Sequence, residues 1–151
     1  MNITPIAYIK NSVNDDTDSK WENIESEIIL TSRFDETAFK DIDQFSHLEI
    51  FFIFNKVKDK DICYGSRHPR NKAELPETGI FAQRGKDRPN RIGATIVNLL
   101  SHSGNKLIVK GLDALNGTPV IDIKPVMQEF LPQSDITQPQ WTKIVMKDYW
   151  K

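Results

Sequence analysis

Residues 94–123 read ATIVNLLSHSGNKLIVKGLDALNGTPVIDI, and the pattern of this stretch decides the fold class. Three runs rich in apolar and β-branched residues stand in it: Ala94–Leu100, Lys106–Leu112 and Pro119–Ile123. Each reads as a strand. Ser103-Gly104-Asn105 separates the first two with residues suited to a hairpin, and Asn116-Gly117 marks a second turn. Upstream, Leu48-Glu49-Ile50-Phe51-Phe52-Ile53-Phe54 is the most apolar run of the chain, short enough to be a buried central strand. Ile3–Ile9 and Ile24–Leu30 read as two further strands. The helical signals are few. Asp35–Ile42 has Asp35 as a cap, with Phe39 and Ile42 on one face. Pro139 opens a second helix reaching Trp150, with proline in its first turn. Short strands with turns roughly every 8–12 residues point to an antiparallel barrel or sandwich. The strand–helix–strand rhythm of a Rossmann fold is missing. The fold class expected is mainly β, a compact antiparallel or mixed β-barrel with a few short helices.

A chain of 151 residues fits one domain. With 38% apolar and 27% charged residues it is globular, and composition excludes a disordered chain. Cys63 is the single cysteine, which excludes an internal disulfide and a cysteine-rich zinc site and favours a reducing compartment. Met1–Pro5 lacks the basic region and apolar run of a signal peptide. No stretch approaches the roughly 20 apolar residues of a membrane span. The expectation is a cytoplasmic protein without a membrane partner. His47, His68 and His102 are scattered without ligand spacing, so no metal is expected.

The net charge of −1 conceals an asymmetry. Residues 1–50 carry 4 basic and 11 acidic side chains, and Asn14-Asp15-Asp16-Thr17-Asp18-Ser19 reads as an acidic loop. Residues 56–91 carry 10 basic and 5 acidic ones. Within them residues 65–91 show little periodicity and hold Pro69, Pro76 and Pro89 with Gly65, Gly79 and Gly85. A long irregular basic segment in a small domain is unusual unless it has a function.

That segment ends in Gln83-Arg84-Gly85-Lys86-Asp87-Arg88-Pro89-Asn90-Arg91-Ile92-Gly93. Glycines let backbone N–H groups approach a ligand, and arginine forks match carboxylates and phosphates. Taken alone, the loop suits an amino-acid carboxylate, nucleic-acid phosphates, or both. It is not a P-loop, since no Gly-Lys-Ser/Thr occurs. Arg67-His68-Pro69-Arg70 is a second place for a phosphate contact. Ser46-His47 stands at the mouth of the central strand, a common ligand position that also suits a merely structural histidine. Gly111 to Pro125 combines a tight turn with Asp113, Asp122 and Lys124. Such a turn can face the edge of an adenine, or it can be a hairpin with an Asp122–Lys124 surface ion pair.

In this order the pieces resemble the TsaA-like family, whose best-understood branch, TrmO, comprises tRNA threonylcarbamoyladenosine N6-methyltransferases. The resemblance rests on Pro5-Ile6-Ala7-Tyr8-Ile9, Phe45-Ser46-His47-Leu48, Gly79-Ile80-Phe81-Ala82-Gln83-Arg84, Arg88-Pro89-Asn90-Arg91-Ile92-Gly93 and Gly111 through Pro125. It implies one TsaA-like domain over 1–151, with its core from Pro5 to about Pro125 and a tail or helix over 126–151. It implies S-adenosylmethionine bound outside the Rossmann class, with contacts from Ser46, His47, Arg84, Ala94, Leu115, Asn116, Gly117 and Thr118. It implies a homodimer and a methyl group moved to the exocyclic amine of a modified adenosine beside the tRNA anticodon. Arg67, Lys86, Arg88 and Arg91 are then the residues expected on RNA. The adenine amine is a weak nucleophile and benefits from a proton acceptor, for which Asp113 and Asp122 are the catalytic candidates.

The chain departs from the tRNA-modifying branch at several points. Residues 14–21 are acidic where that branch leads to a Pro-Arg-Gln motif. Gly85-Lys86 replaces Ser-Pro, Arg91 replaces proline, Asn116 replaces aspartate, and the C-terminal extension domain of many members is missing. The pattern resembles a shorter sister branch. Two other readings stay open: the same fold methylating a small molecule or a protein, and a non-catalytic module that binds S-adenosylmethionine or RNA.

Overall fold

The alternation seen in the sequence becomes the wall of a barrel. The computed structural model describes residues 1–15 and 20–151; most of the acidic loop predicted at 14–19 thus lies outside the described residues. The strands are β1 (Ala7–Lys10), β2 (Glu25–Leu30), β3 (His47–Ile53), β4 (Ser66–Arg67), β5 (Thr78–Gly79), β6 (Ile92–Ser103), β7 (Lys106–Lys110) and β8 (Pro119–Pro125). Six of them close a barrel in the order β1-β2-β7-β6-β3-β8, each pair antiparallel, while β4 and β5 form a separate two-stranded ribbon. Every second residue faces inward: Ala7 and Ile9, Ile28 and Leu30, Leu48, Ile50 and Phe52, Val97, Leu107 and Val109, and Val120.

β6 is the strand that lets the sheet close. Its first half, Ile92–Asn98, pairs with β3, and its second half pairs with β7. A bulge between Leu99 and Ser101 sits in the β7 half, and a second irregularity separates Phe51 from Phe52 opposite β8. Such bulges bend strands and permit closure.

Three sequence expectations shift. The first strand begins at Ala7 rather than Ile3, since Pro5 has no N–H to continue a ladder. The helix expected over Asp35–Ile42 is two 3-10 turns, Glu36–Phe39 and Ile42–Gln44. Asp35 does cap the first, accepting from Thr37 N–H at 2.8 Å, but Lys40 leaves helical geometry and Asp41 turns left-handed at φ 64. The C-terminal helix α1 covers only Gln140–Met146, with Pro139 extended before it as the cap.

Because all neighbours are antiparallel, one end of the barrel gathers the end of β1, the start of β2, the end of β3, the start of β6, the end of β7 and the start of β8. The three connections carrying the acidic loop, the basic segment and the Gly111–Thr118 crossover therefore leave from the same end. The C-terminal segment returns to that end as well. Lys20, Trp21 and Glu22 donate backbone N–H groups to the carbonyls of Asp148, Tyr149 and Trp150 at 3.2, 3.1 and 2.8 Å. The Tyr149 hydroxyl donates to Asp113, and the Arg70 guanidinium lies 5.6 Å from the centre of the Tyr149 ring.

At this end of the interior lies Phe52, in one core cluster with Leu112 and Ala114 of the crossover. Its ring lies over Gly93, its partner across the β3–β6 ladder, so closely that a Cβ on Gly93 would be 2.4 Å from two ring atoms. Gly93→Ala therefore forces the ring aside and should cost about 1–3 kcal/mol in chemical denaturation, as overpacked cores do. Gly79→Ala, where nothing lies within 4 Å, should be near neutral. Tyr149→Phe deletes one hydroxyl bonded to a carboxylate and should cost about 1.5–3 kcal/mol in the same assay; no change would mean the C-terminal segment is held by its backbone bonds alone.

Candidate functional site

The site begins with a strand edge. β7 meets β6 only from Asn98 onward, so over Ile92–Val97 the side of β6 away from β3 has no strand partner among the described residues. Phe54 N–H donates to Arg91 O at 2.8 Å and Leu99 N–H to Ser46 O at 2.9 Å. Hydrogen-bonded and non-hydrogen-bonded pairs alternate along an antiparallel ladder. The pair Phe51–Ala94 is therefore non-hydrogen-bonded, and the Ala94 carbonyl points to the bare edge. Arg84 fills that place: its Nη2 donates to Ala94 O at 2.5 Å. Arg84 and Ala94, both expected at the cofactor, thus touch each other. Outside the same strands, Phe51, Ile92 and Ile121 floor a groove of about 370 Å³ that Ile3, Asp122 and Lys124 complete. Phe51 stands between Ala94 on one side and Asp122 on the other.

The basic segment spends much of its charge on its own architecture. Arg67 Nη1 pairs with Asp87 Oδ2 at 2.6 Å, both largely shielded from solvent. Arg88 Nη1 donates to Gln83 O at 2.9 Å and Gly85 O at 3.5 Å. Arg91, left-handed at φ 52, pairs with Asp59. Lys86 is half-buried. Arg67, Arg88 and Arg91, which the resemblance placed on RNA, thus each hold a partner within the protein. The reason is general: an irregular connection must satisfy its own carbonyls and carboxylates with its own donors.

The crossover Gly111–Thr118 is similarly stitched in. Asn116 N–H donates to Val13 O and Gly117 N–H to Ile9 O, each at 2.7 Å, and Thr118 N–H to Leu115 O at 3.1 Å. Asn11 bridges the two loops. Its Nδ2 donates to Ser26 Oγ at 3.0 Å and Ala114 O at 2.9 Å, while its N–H donates to Asn116 Oδ1 at 3.2 Å. Gly117 is needed for its φ of 81. The N–H groups of this turn serve the barrel, so what it offers a ligand is its outer face.

The two carboxylates differ. Asp113 takes the Thr95 hydroxyl on Oδ1 and the Tyr149 hydroxyl on Oδ2, which fixes its orientation at the β6 start. Thr95 faces the interior beside Ala94. Asp122 lies on the outer face, accepts from its own Ile123 N–H at 3.0 Å, and pairs with Lys124 at 3.4 Å across two half-exposed side chains. The surface ion pair weighed for Asp122 in the sequence is what the structure holds.

Ser46 and His47 stand apart. Ser46 Oγ and His47 Nδ1 are 2.7 Å from each other at the start of β3. His47 shares the outer face with Phe51, four residues and about 13 Å further along the strand. They stand at the start of β3, four residues along the strand from the Phe51–Ala94 pair that Arg84 touches. Thr95 and Tyr149 were missed in the sequence, since nothing local links Tyr149 to a carboxylate 36 residues upstream.

With this geometry in hand, comparisons with known proteins place the chain. The model of the tRNA-methyltransferase O N-terminal domain matches residues 9–131. "Probable S-adenosyl-L-methionine-binding protein" of Pyrococcus abyssi is 36% identical over 112 residues, which are 74% of this chain and 58% of that protein. The tRNA (adenine(37)-N6)-methyltransferase of Homo sapiens is 34% identical over 104 residues, 69% of this chain and 23% of the human protein. The crystal structure of TrmO from P. aeruginosa matches with a TM-score of 0.75 at 25% identity, covering 93% of this chain and 61% of that one. The chain spans less than two thirds of each of these relatives. By the extent of the domain match and the likeness of the barrel, it belongs to the TrmO, or TsaA-like, family.

Proposed function

We propose that this protein is an S-adenosylmethionine-dependent methyltransferase that modifies N6 of a tRNA adenosine beside the anticodon. The observation that carries the reading is Arg84 docked on the unpaired edge of β6 at Ala94 in a chain of the TrmO family. A guanidinium with one N–H group anchored keeps its other N–H groups for an amino-acid carboxylate. The bare edge supplies backbone donors and acceptors of the kind an adenine or amino acid needs, and the neighbouring groove supplies an apolar floor.

Bound S-adenosylmethionine supplies a methyl group on a sulfonium, and its transfer needs alignment above all. The chain's own task is to hold the target amine in line and to receive its proton. Asp113, oriented by Thr95 and Tyr149, is the residue we assign to that proton. Asp122 and Lys124 border the groove and serve polar contacts there. Ser46 and His47, on the same outer face of β3 as Phe51, are assigned to the part of the cofactor farther from Arg84. We also propose a homodimer, which Ile96 and Leu100, 46% and 47% exposed on the outside of β6, support. Among the described residues no helix is long and apolar enough to cross a membrane; a cytoplasmic location is our reading of the lone Cys63.

A second reading has an observation in its favour. Arg67 and Arg91 are paired with Asp87 and Asp59, which lowers the charge left for a polyanion and suits a small-molecule or protein substrate. Salt separates the two, because tRNA binding weakens steeply with ionic strength.

Titration calorimetry with S-adenosylmethionine should show binding. Thermal scans at about 100 times Kd should show stabilisation of about 2.7 kcal/mol. Arg84→Ala should weaken that binding about tenfold or more while leaving the unfolding temperature close to wild type, since the side chain is exposed. Absence of binding by the wild type overturns the proposed function; unchanged affinity in the variant removes Arg84 from the site. Labelled methyl groups should appear in bulk tRNA rather than in protein or small molecules.

A further inference from the structure

We propose that Tyr64 and Phe81 form a stacking platform for an unstacked nucleobase of the RNA, beside the basic loop. Both side chains are aromatic and both are 79% exposed, in a segment where Pro69, Leu75 and Ile80 are buried.

The ribbon of β4 and β5 brings their stretches of backbone to the same end. Ser66 pairs with Gly79 and Arg67 with Thr78, and the register continues through Ile80 N–H donating to Gly65 O at 2.9 Å. Tyr64 precedes Gly65, and Phe81 follows Ile80 in a 3-10 turn over Ile80–Ala82, so each ring leaves the chain one residue beyond that bond. Their chain neighbours are tied down. Cys63 N–H donates to Asp87 O at 2.9 Å. Gln83, 7% exposed, donates its Nε2 to Arg67 O at 2.9 Å and to Thr78 O and Oγ1 at 3.0 Å each. Ile80 is 2% exposed. The scaffold is anchored on both sides while the two rings project, so their exposure is a built feature of the ribbon and not the slack of a loose loop.

The surroundings decide what covers the rings. Of the residues around them in sequence, Gly65, Ser66, Gly79, Ala82 and Arg84 are exposed and small or polar while Ile80 is buried, which makes no continuous apolar patch of the size a protein interface uses. Arg84 follows Phe81 by three residues, within a segment of 10 basic against 5 acidic side chains. Exposed aromatics interleaved with cations are the recognition chemistry of single-stranded nucleic acid: the rings take the faces of bases and the cations follow the phosphates. With Arg67 and Arg91 already paired, stacking also supplies the affinity that those arginines do not.

This inference rests on the RNA reading of the function, and its test keeps the two apart. The probes are bulk tRNA, a single-stranded oligoribonucleotide and a perfect RNA duplex, with binding followed by fluorescence anisotropy. Tyr64→Ala, Phe81→Ala and Phe81→Leu should each weaken binding of tRNA and of the single strand about tenfold, within the range of base–aromatic stacking. Phe81→Trp should keep wild-type affinity, and S-adenosylmethionine binding, duplex binding and unfolding temperature should stay unchanged in all four variants. Wild-type affinity in Phe81→Leu, or an equal loss on the duplex, overturns the platform while leaving RNA methylation standing. A changed sedimentation coefficient in Phe81→Leu overturns it too, assigning the rings to contact between copies. Failure of the wild type to bind any of the three RNAs, with S-adenosylmethionine still bound, overturns both the platform and the RNA reading.

Discussion

The Phe52 ring over the bare backbone of Gly93 sets the register on which the rest of this protein depends. Strand side chains alternate with a period of two, so a single-residue slip between β3 and β6 would exchange the inside and outside of both strands. Gly93 has no side chain to yield, and the ring keeps its place only with glycine there. With that pair in place, three successive residues take three different tasks. Gly93 admits the ring, Ala94 turns its carbonyl to the bare edge where Arg84 waits, and Thr95 faces inward and holds Asp113. The packing of one aromatic side chain thereby aligns a strand edge, a guanidinium and a carboxylate.

The basic segment illustrates how a charge count can mislead about chemistry. Ten basic residues suggest an open polyanion site, yet Arg67, Arg88 and Arg91 hold the segment itself together. Outside the short β4–β5 ribbon the segment has no ladder, and Arg88 meets its backbone carbonyls while Arg67 and Arg91 meet its carboxylates. What remains for a partner is a combination of residual charge, the Arg84 fork and exposed aromatic surface. The crossover of Gly111–Thr118 follows the same logic, with Asn11 serving as the polar bridge that locks it to the end of β1.

Much of the architecture could be read before any coordinates, because it is written in local pattern. Alternation and turn residues mark the hairpin of β6 and β7, the buried run of β3 and the strand after Asn116-Gly117. The errors fall where local pattern competes with geometry. Phe39 and Ile42 have helical spacing, but the left-handed Asp41 breaks the helix into two tight turns. The length of β6 was also hidden, since one continuous strand serves two partners and neither half reveals the other.

The amino-acid sequence by itself determined an antiparallel, mainly β chain, the family resemblance, and a wide set of candidates in which Arg84 and Ala94 stood with Ser46, His47 and residues 115–118, and Asp113 with Asp122. Periodicity, glycine and proline placement and contiguous motifs are short-range properties, and they survive in one dimension. Only the tertiary structure decided which of these residues meet. It set Ser46 and His47 four residues along β3 from the Phe51–Ala94 pair that Arg84 touches, gave Asp113 a partner in Tyr149 from the C-terminal segment, and neutralised Arg91 with Asp59. Those pairings join positions tens of residues apart, and they exist because antiparallel closure brings alternate strand ends and their connections to one rim.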